Sequence, residues 1–89
     1  MPSRKVTIQN RDGLHLRPAG LLVKEAARFR SDIFVSRNGF EVNAKSIMGV
    51  TMLAAEAGSE IEIRAEGEDA AEALDALTAL IESGFGGIR

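Results

Sequence analysis

Two hydrophobic periods alternate along the chain. Val6 and Ile8 are interleaved with Lys5, Thr7 and Gln9, the two-residue period of a half-buried strand, and Asn10-Arg11-Asp12-Gly13 ends the run. Beyond Pro18 the period lengthens. Ala19, Leu22, Val23, Ala26 and Phe29 or Arg30 recur at helical spacing and predict an amphipathic helix of about three turns. Ile33 and Val35 predict a second strand, and Asn38-Gly39 is a strong hairpin signal leading into a third, Phe40-Glu41-Val42-Asn43. Ile47, Val50, Leu53 and Ala54 return to helical spacing behind a capping Ser46, and Gly49 and Gly58 keep this helix short. Ile61, Ile63 and Ala65 alternate strictly with Glu60, Glu62, Arg64 and Glu66, and Gly67 ends that strand. Asp69 with Glu72 resembles a capping box for a last helix whose core face is Ala70, Ala73, Leu74, Leu77, Leu80 and Ile81 and which stops at Gly84. Gly86 to Arg89 is expected to be a mobile tail.

Four strands with one apolar face can bury it only under the helices, so the order βαββαβα predicts an α+β fold, an open-faced β-sandwich covered on one face by three helices. The first helix carries the chain across so that strands one and two run parallel, which leaves the fourth to pair antiparallel between them. The expected sheet is four-stranded and antiparallel, in the order 1-4-2-3. A length of 89 residues suits one two-layer core, so residues 1–89 read as a single domain.

Composition narrows the chemistry. The hydrophobic fraction of 45% is that of a folded globular chain, and the absence of cysteine removes disulfides, thiol catalysis and thiolate metal sites. One histidine is too few for an ordinary catalytic zinc site, so no metal is expected. The start, Met1-Pro2-Ser3-Arg4-Lys5, leads into a strand-like run with no apolar stretch long enough for a signal peptide or membrane span, which predicts a cytoplasmic protein without membrane insertion. Net charge is −2 but unevenly placed: nine Lys/Arg face four Asp/Glu through Lys45, and two face nine beyond it, about +5 and −7. The basic part suits an anionic substrate or acidic partner, and the mildly acidic whole argues against nucleic acid as ligand.

The only histidine lies in that basic part, in Gly13-Leu14-His15-Leu16-Arg17-Pro18-Ala19. Gly13 permits a tight turn and Pro18 suits the first turn of a helix, so the helix starts near His15, with His15, Leu16 or Arg17 as its cap. The positive end of a helix disfavours an imidazolium, so the sequence predicts a nucleophilic ring there. The free N–H groups there, with the Arg17 guanidinium, can neutralise a phosphoryl group placed on the ring. Arg17, Leu21, Lys24 and Arg28 form a stripe that brings further cations to this side of the helix. The same residues would also suit an ordinary capping turn with a solvated basic face.

Together with Asn43-Ala44-Lys45-Ser46-Ile47-Met48-Gly49-Val50, this heptapeptide resembles the histidine-containing phosphocarrier (HPr) family of the bacterial phosphoenolpyruvate-dependent sugar phosphotransferase system. Gly58, Gly67 and Ser83-Gly84-Phe85 fit the same pattern, so the resemblance covers nearly the whole chain. It implies that His15 caps the first helix, takes a phosphoryl group on Nδ1 from phosphorylated enzyme I and passes it to enzyme IIA domains of sugar permeases, with Arg17 stabilising the phosphate. Such a chain is a carrier with a phosphohistidine intermediate rather than a turnover enzyme; the resemblance implies no metal or organic cofactor, and a monomer is expected. The resemblance further implies that Ser46 is a regulatory phosphorylation site for HPr kinase/phosphorylase in carbon catabolite control. It implies a docking patch of Leu16, Gly20, Leu21, Lys24, Ile47 and Met48, with Met48 exposed.

Two positions depart from the family pattern. Leu16 stands where a small residue or threonine is common, making the wall of the site bulkier, and Gly20 replaces the usual alanine. Alternatives to sugar uptake are a nitrogen-branch regulatory phosphocarrier, a regulatory binding module whose histidine carries nothing, and a small-ligand-binding domain. Retention of His15 speaks against the second.

Overall fold

The computed structural model describes residues 2–87, so Met1 and the end of the expected tail, Ile88 and Arg89, lie outside the described residues. The elements are β1 (Ser3–Thr7), α1 (Leu16–Ala26), β2 (Asp32–Arg37), β3 (Phe40–Asn43), α2 (Ile47–Met52), β4 (Glu60–Glu66) and α3 (Ala70–Glu82). The strands form one sheet in the order β1-β4-β2-β3, each neighbouring pair antiparallel, as the sequence predicts. β4, the most regular alternation in the sequence, lies between β1 and β2.

Register aligns the apolar sides of the strands: Val6 lies opposite Ile61, and Val35 opposite Ile63. These four, with Ile33 and Ala65, are buried beneath Ala19, Leu22 and Ala26 of α1 and Ala73, Leu74, Leu77 and Ile81 of α3. Each fully buried leucine or isoleucine contributes about 1.5–3 kcal/mol relative to exposure. Asn38 and Gly39, at φ 51° and 84°, make the two-residue left-handed turn that the hairpin requires. The other sheet face is open. There Arg64 forks onto Glu41, Nε to Oε2 at 3.0 Å and Nη2 to Oε1 at 2.6 Å, with its guanidinium 4.7 Å from the Phe34 ring centroid. The hydrogen bond from Arg64 holds the Glu41 carboxyl below its ordinary range.

Three local expectations are corrected. Asp69 precedes α3, but its side chain makes no capping bond. Its carboxylate instead accepts from the Arg30 N–H at 2.8 Å, the Ser31 N–H at 2.9 Å and the Ser31 hydroxyl at 2.5 Å. Packing α1 beside α3 brings these three donors to Asp69, whereas a capping box offers its N-cap side chain one. Gly67 makes the approach possible: at φ 149°, a Cβ there would lie 2.5 Å from Ser31 Oγ and 2.8 Å from its Cα. Ala54, placed with the core of α2 by spacing, lies past the helix end, exposed and at φ 50°.

The third correction concerns the end of the chain. Gly84, Phe85, Gly86 and Gly87 have φ of 66°, 58°, 74° and 93° and wind a left-handed turn rather than trailing away. A left-handed residue with a Cβ costs about 1–2 kcal/mol, which burial of the Phe85 ring, 3% exposed, offsets. Among the described residues no helix is long and apolar enough to cross a membrane.

Candidate functional site

The turn after β1 is clamped at both ends. Gly13 has φ 66°, and a Cβ there would collide with the Ala55 carbonyl oxygen and come within 2.9 Å of Glu56 Cα. The next residue, Leu14, is buried and donates its N–H to Ala55 O at 2.8 Å. Asn10 closes the turn from the other side, its N–H₂ donating to Gly13 O at 2.7 Å while Gly13 N–H donates to Asn10 O at 3.2 Å. The chain leaves this clamp directly into His15.

His15 is the N-cap of α1, in extended conformation, and its carbonyl accepts from the Ala19 N–H at 2.9 Å. This selects one of the three caps that the sequence allows. The His15 side chain makes no cap hydrogen bond, and the first turn contains no acidic residue. An exposed imidazole therefore stands beside backbone donors that the helix itself cannot use, since Leu16 and Arg17 precede the first intrahelical acceptor and Pro18 has no N–H. The ring borders a shallow cavity of about 370 Å³ shared with Arg11, Asp12, Glu56 and Ala57. Arg17 does not line it: the residue is exposed, and among the described residues no ion pair or hydrogen bond of its side chain is found. A larger hollow of about 410 Å³ lies on the open sheet face around Lys5, Ser36 and Glu62 and shares no residue with the first.

α2 approaches α1 through the pair Gly20 and Ile47. A Cβ on Gly20 would sit 3.6 Å from Ile47 Cδ1, ordinary contact distance. Ser46 caps α2, its hydroxyl accepting from the Gly49 N–H at 3.1 Å, and Lys45 Nζ donates to Phe29 O at 2.7 Å near the end of α1. Leu16, Met48 and Ile47 are 70%, 74% and 41% exposed, so the sequence-predicted patch faces solvent, Ile47 included. Lys24 is exposed and Leu21 half-buried against the core. Arg28, on the same stripe, is exposed and paired with Glu25 at 2.7 Å.

Sequence reasoning missed Met52, 64% exposed and one helical turn beyond Met48. Once Val50 and Leu53 are given to the core, the 3.6-residue period leaves Met48 and Met52 together on the outer face. It also missed Arg11, Asp12 and Glu56 as neighbours of His15. Glu56 reaches the site through the Ala55–Gly13 contact, which has no local signal.

The family model for the HPr component of the phosphotransferase system, described as its phosphorylation site, matches residues 2–83. The chain is 50% identical to phosphocarrier protein HPr of Cupriavidus necator over 86 residues, 97% of each chain. It is 48% identical to the HPr-like protein Crh of Bacillus subtilis over 82 residues, 92% of this chain and 96% of that one. A crystal structure of HPr-C-His from Thermoanaerobacter tengcongensis superposes with a TM-score of 0.95 at 45% identity, covering both chains completely. An HPr dimer from the same organism matches with a TM-score of 0.77 at 46% identity, covering 97% of this chain and 99% of that one. That dimer does not fit well with the expectation of a monomer. A family match that takes in both the histidine turn and the α2 segment, on a sheet of the expected order, establishes that this chain belongs to the HPr family of the phosphotransferase system.

Proposed function

We propose that His15 accepts a phosphoryl group from phosphorylated enzyme I and passes it to enzyme IIA domains in sugar uptake. The observation that carries this reading is an exposed histidine at a helix N-cap whose ring is used by no cap hydrogen bond. A lone pair of the imidazole forms the nitrogen–phosphorus bond as the bond from phosphorus to the donor's leaving atom breaks, and the second transfer reverses the roles. Arg17 and the N–H groups of Leu16 and Arg17 neutralise the arriving oxygens. Phosphoryl transfer rests on in-line placement and charge stabilisation, which a small surface can supply once a partner is docked. Leu16, Gly20, Leu21, Lys24, Ile47 and Met48 form that docking face, and the work is done in the cytoplasm.

Ser46 is the proposed regulatory site, modified by HPr kinase/phosphorylase. A phosphate there adds about −1.5 to −2 charges at the start of α2 and repels an acidic partner from the docking face. The likeness to Crh, whose solved structure is described as that of a catabolite repression protein, supports a second reading, a regulatory module whose histidine carries nothing, against which the retained His15 speaks. A nitrogen-branch carrier uses the same His15 chemistry with a different recipient.

The deciding experiment is intact mass after incubation with phosphoenolpyruvate and enzyme I. One acid-labile, phosphate-sized increment is expected, and none in His15→Ala. A wild-type chain left unmodified by a competent donor overturns the carrier reading in favour of the regulatory module.

A further inference from the structure

We propose that Asn10 is a positioning residue for transfer at His15, an assignment that rests on the carrier reading. Asn10 is 4% exposed, and its amide N–H₂ donates to Gly13 O at 2.7 Å. Its Oδ1 is buried without a hydrogen-bond partner among the described residues. A buried amide that satisfies only one of its two ends is a poor choice for stability, because a small apolar residue would fill the position without stranding an acceptor. What the amide provides here is direction. Gly13 is held by four contacts: the Asn10 amide donates to its carbonyl, its own N–H donates to Asn10 O, Ala55 O lies against its Cα, and the next N–H, of Leu14, donates to Ala55 O. All but the first are made by backbone. Asn10 supplies the only side-chain hydrogen bond to the backbone of residues 11–15 among the described residues.

The consequence reaches His15 through the Gly13–Leu14 peptide. Fixing the Gly13 carbonyl fixes the plane of the Gly13–Leu14 peptide, and the buried Leu14 side chain anchors the residue before the N-cap, so the chain enters the N-cap from a fixed point. His15 itself has no side-chain cap bond to hold its ring, and its aim at an incoming phosphorus therefore depends on that point. A misplacement of about 1 Å costs on the order of 100-fold in rate when reacting atoms must be in line. Docking is left to other residues, because Leu16, Ile47 and Met48 lie outside the clamp.

The test uses the full chain as the substrate of enzyme I and phosphoenolpyruvate, with Asn10→Asp and Asn10→Ala. The first keeps the shape and sets an acceptor against the Gly13 carbonyl; the second removes the amide. For both, kcat is expected to fall about 10-fold or more, with KM within about twofold. Reaction with phosphoramidate, a small donor that needs no docked geometry, should stay within about twofold of wild type. If Asn10→Asp does not fold, Asn10→Ala decides. Wild-type kcat in a folded variant, an effect confined to KM, an equal loss with phosphoramidate, or loss of cooperative unfolding in both variants overturns the assignment. A wild-type chain that takes no phosphate from enzyme I removes the carrier reading and this role together, whereas an active wild type beside an unimpaired variant removes only the role.

Discussion

Asp69 and Ser31, 38 residues apart in sequence, are joined by two hydrogen bonds to one carboxylate oxygen, from the serine hydroxyl at 2.5 Å and its N–H at 2.9 Å. The Ser31 hydroxyl first, and the Arg30 N–H next, hold the Asp69 carboxyl down to about 2 from an ordinary 3.8. A carboxylate with a depressed folded value contributes stability that is present above its unfolded value and lost as pH falls through the folded one. Thermal unfolding of the wild type should therefore lose this contribution between about pH 4 and pH 2. Asp69→Asn should unfold at lower temperature at neutral pH and show a shallower decline across that window. Parallel pH profiles for the two proteins would show that the contact contributes nothing of this kind.

Gly20→Ala should stabilise the fold. The added methyl meets only Ile47 Cδ1, at 3.6 Å, and alanine in a helix interior is favoured over glycine by about 0.5–1 kcal/mol. For a domain of this size that corresponds to a rise of about 2–8 °C in Tm. A lower Tm would mean that α1 and α2 approach too closely for a methyl.

Gly13→Ala acts in the opposite sense. The substitution combines a left-handed φ of 66° with a clash against Ala55 O, so a loss of about 2–4 kcal/mol is expected in urea unfolding. A change below about 1 kcal/mol would show that the turn yields easily.

Arg17→Ala should slow phosphoryl transfer by about 10-fold or more while leaving Tm almost unchanged, because the exposed side chain makes no ion pair among the described residues. Stopped-flow transfer and calorimetry on one preparation separate the two readouts. A large fall in Tm would make Arg17 structural instead.

Met48→Asp places a charge where the chain exposes 74% of an apolar side chain. KM for enzyme I and for an enzyme IIA domain should rise about 10-fold, with folding intact. Unchanged KM values for both would exclude Met48 from the docking face.

The elements were legible because each is written in one period. β4 alternates without exception and α3 repeats its core positions through Ile81, so the helical layer follows from the apolar faces, and the crossover through α1 with the Asn38-Gly39 hairpin adds the sheet order. What escaped is non-local. The Asp69-x-x-Glu72 spacing is a sound capping signal, yet three donors from the α1–β2 connection outcompete it. Ala54 fits the α2 period but falls where the helix has already ended. At the site, His15 and its cap were legible from the heptapeptide and its family resemblance. Glu56 was not, because only the fold brings Ala55 to Gly13. Phe85 was unreadable for a related reason: a left-handed conformation at a bulky residue is tolerated only where the assembled core receives the ring.

His15, Leu16, Ile47 and Met48 are exposed on a chain whose largest dimension is 33 Å. A surface that small holds one partner at a time. For a carrier working through it, giver and receiver compete for the same ground, and each delivery requires complete separation from one protein before meeting the other. Flux is then limited by residence time as well as by chemistry, so tighter binding to either partner would slow the circuit. On the proposed carrier role of His15, the exposed Leu16 side chain next to it is placed where its bulk would act on that residence time.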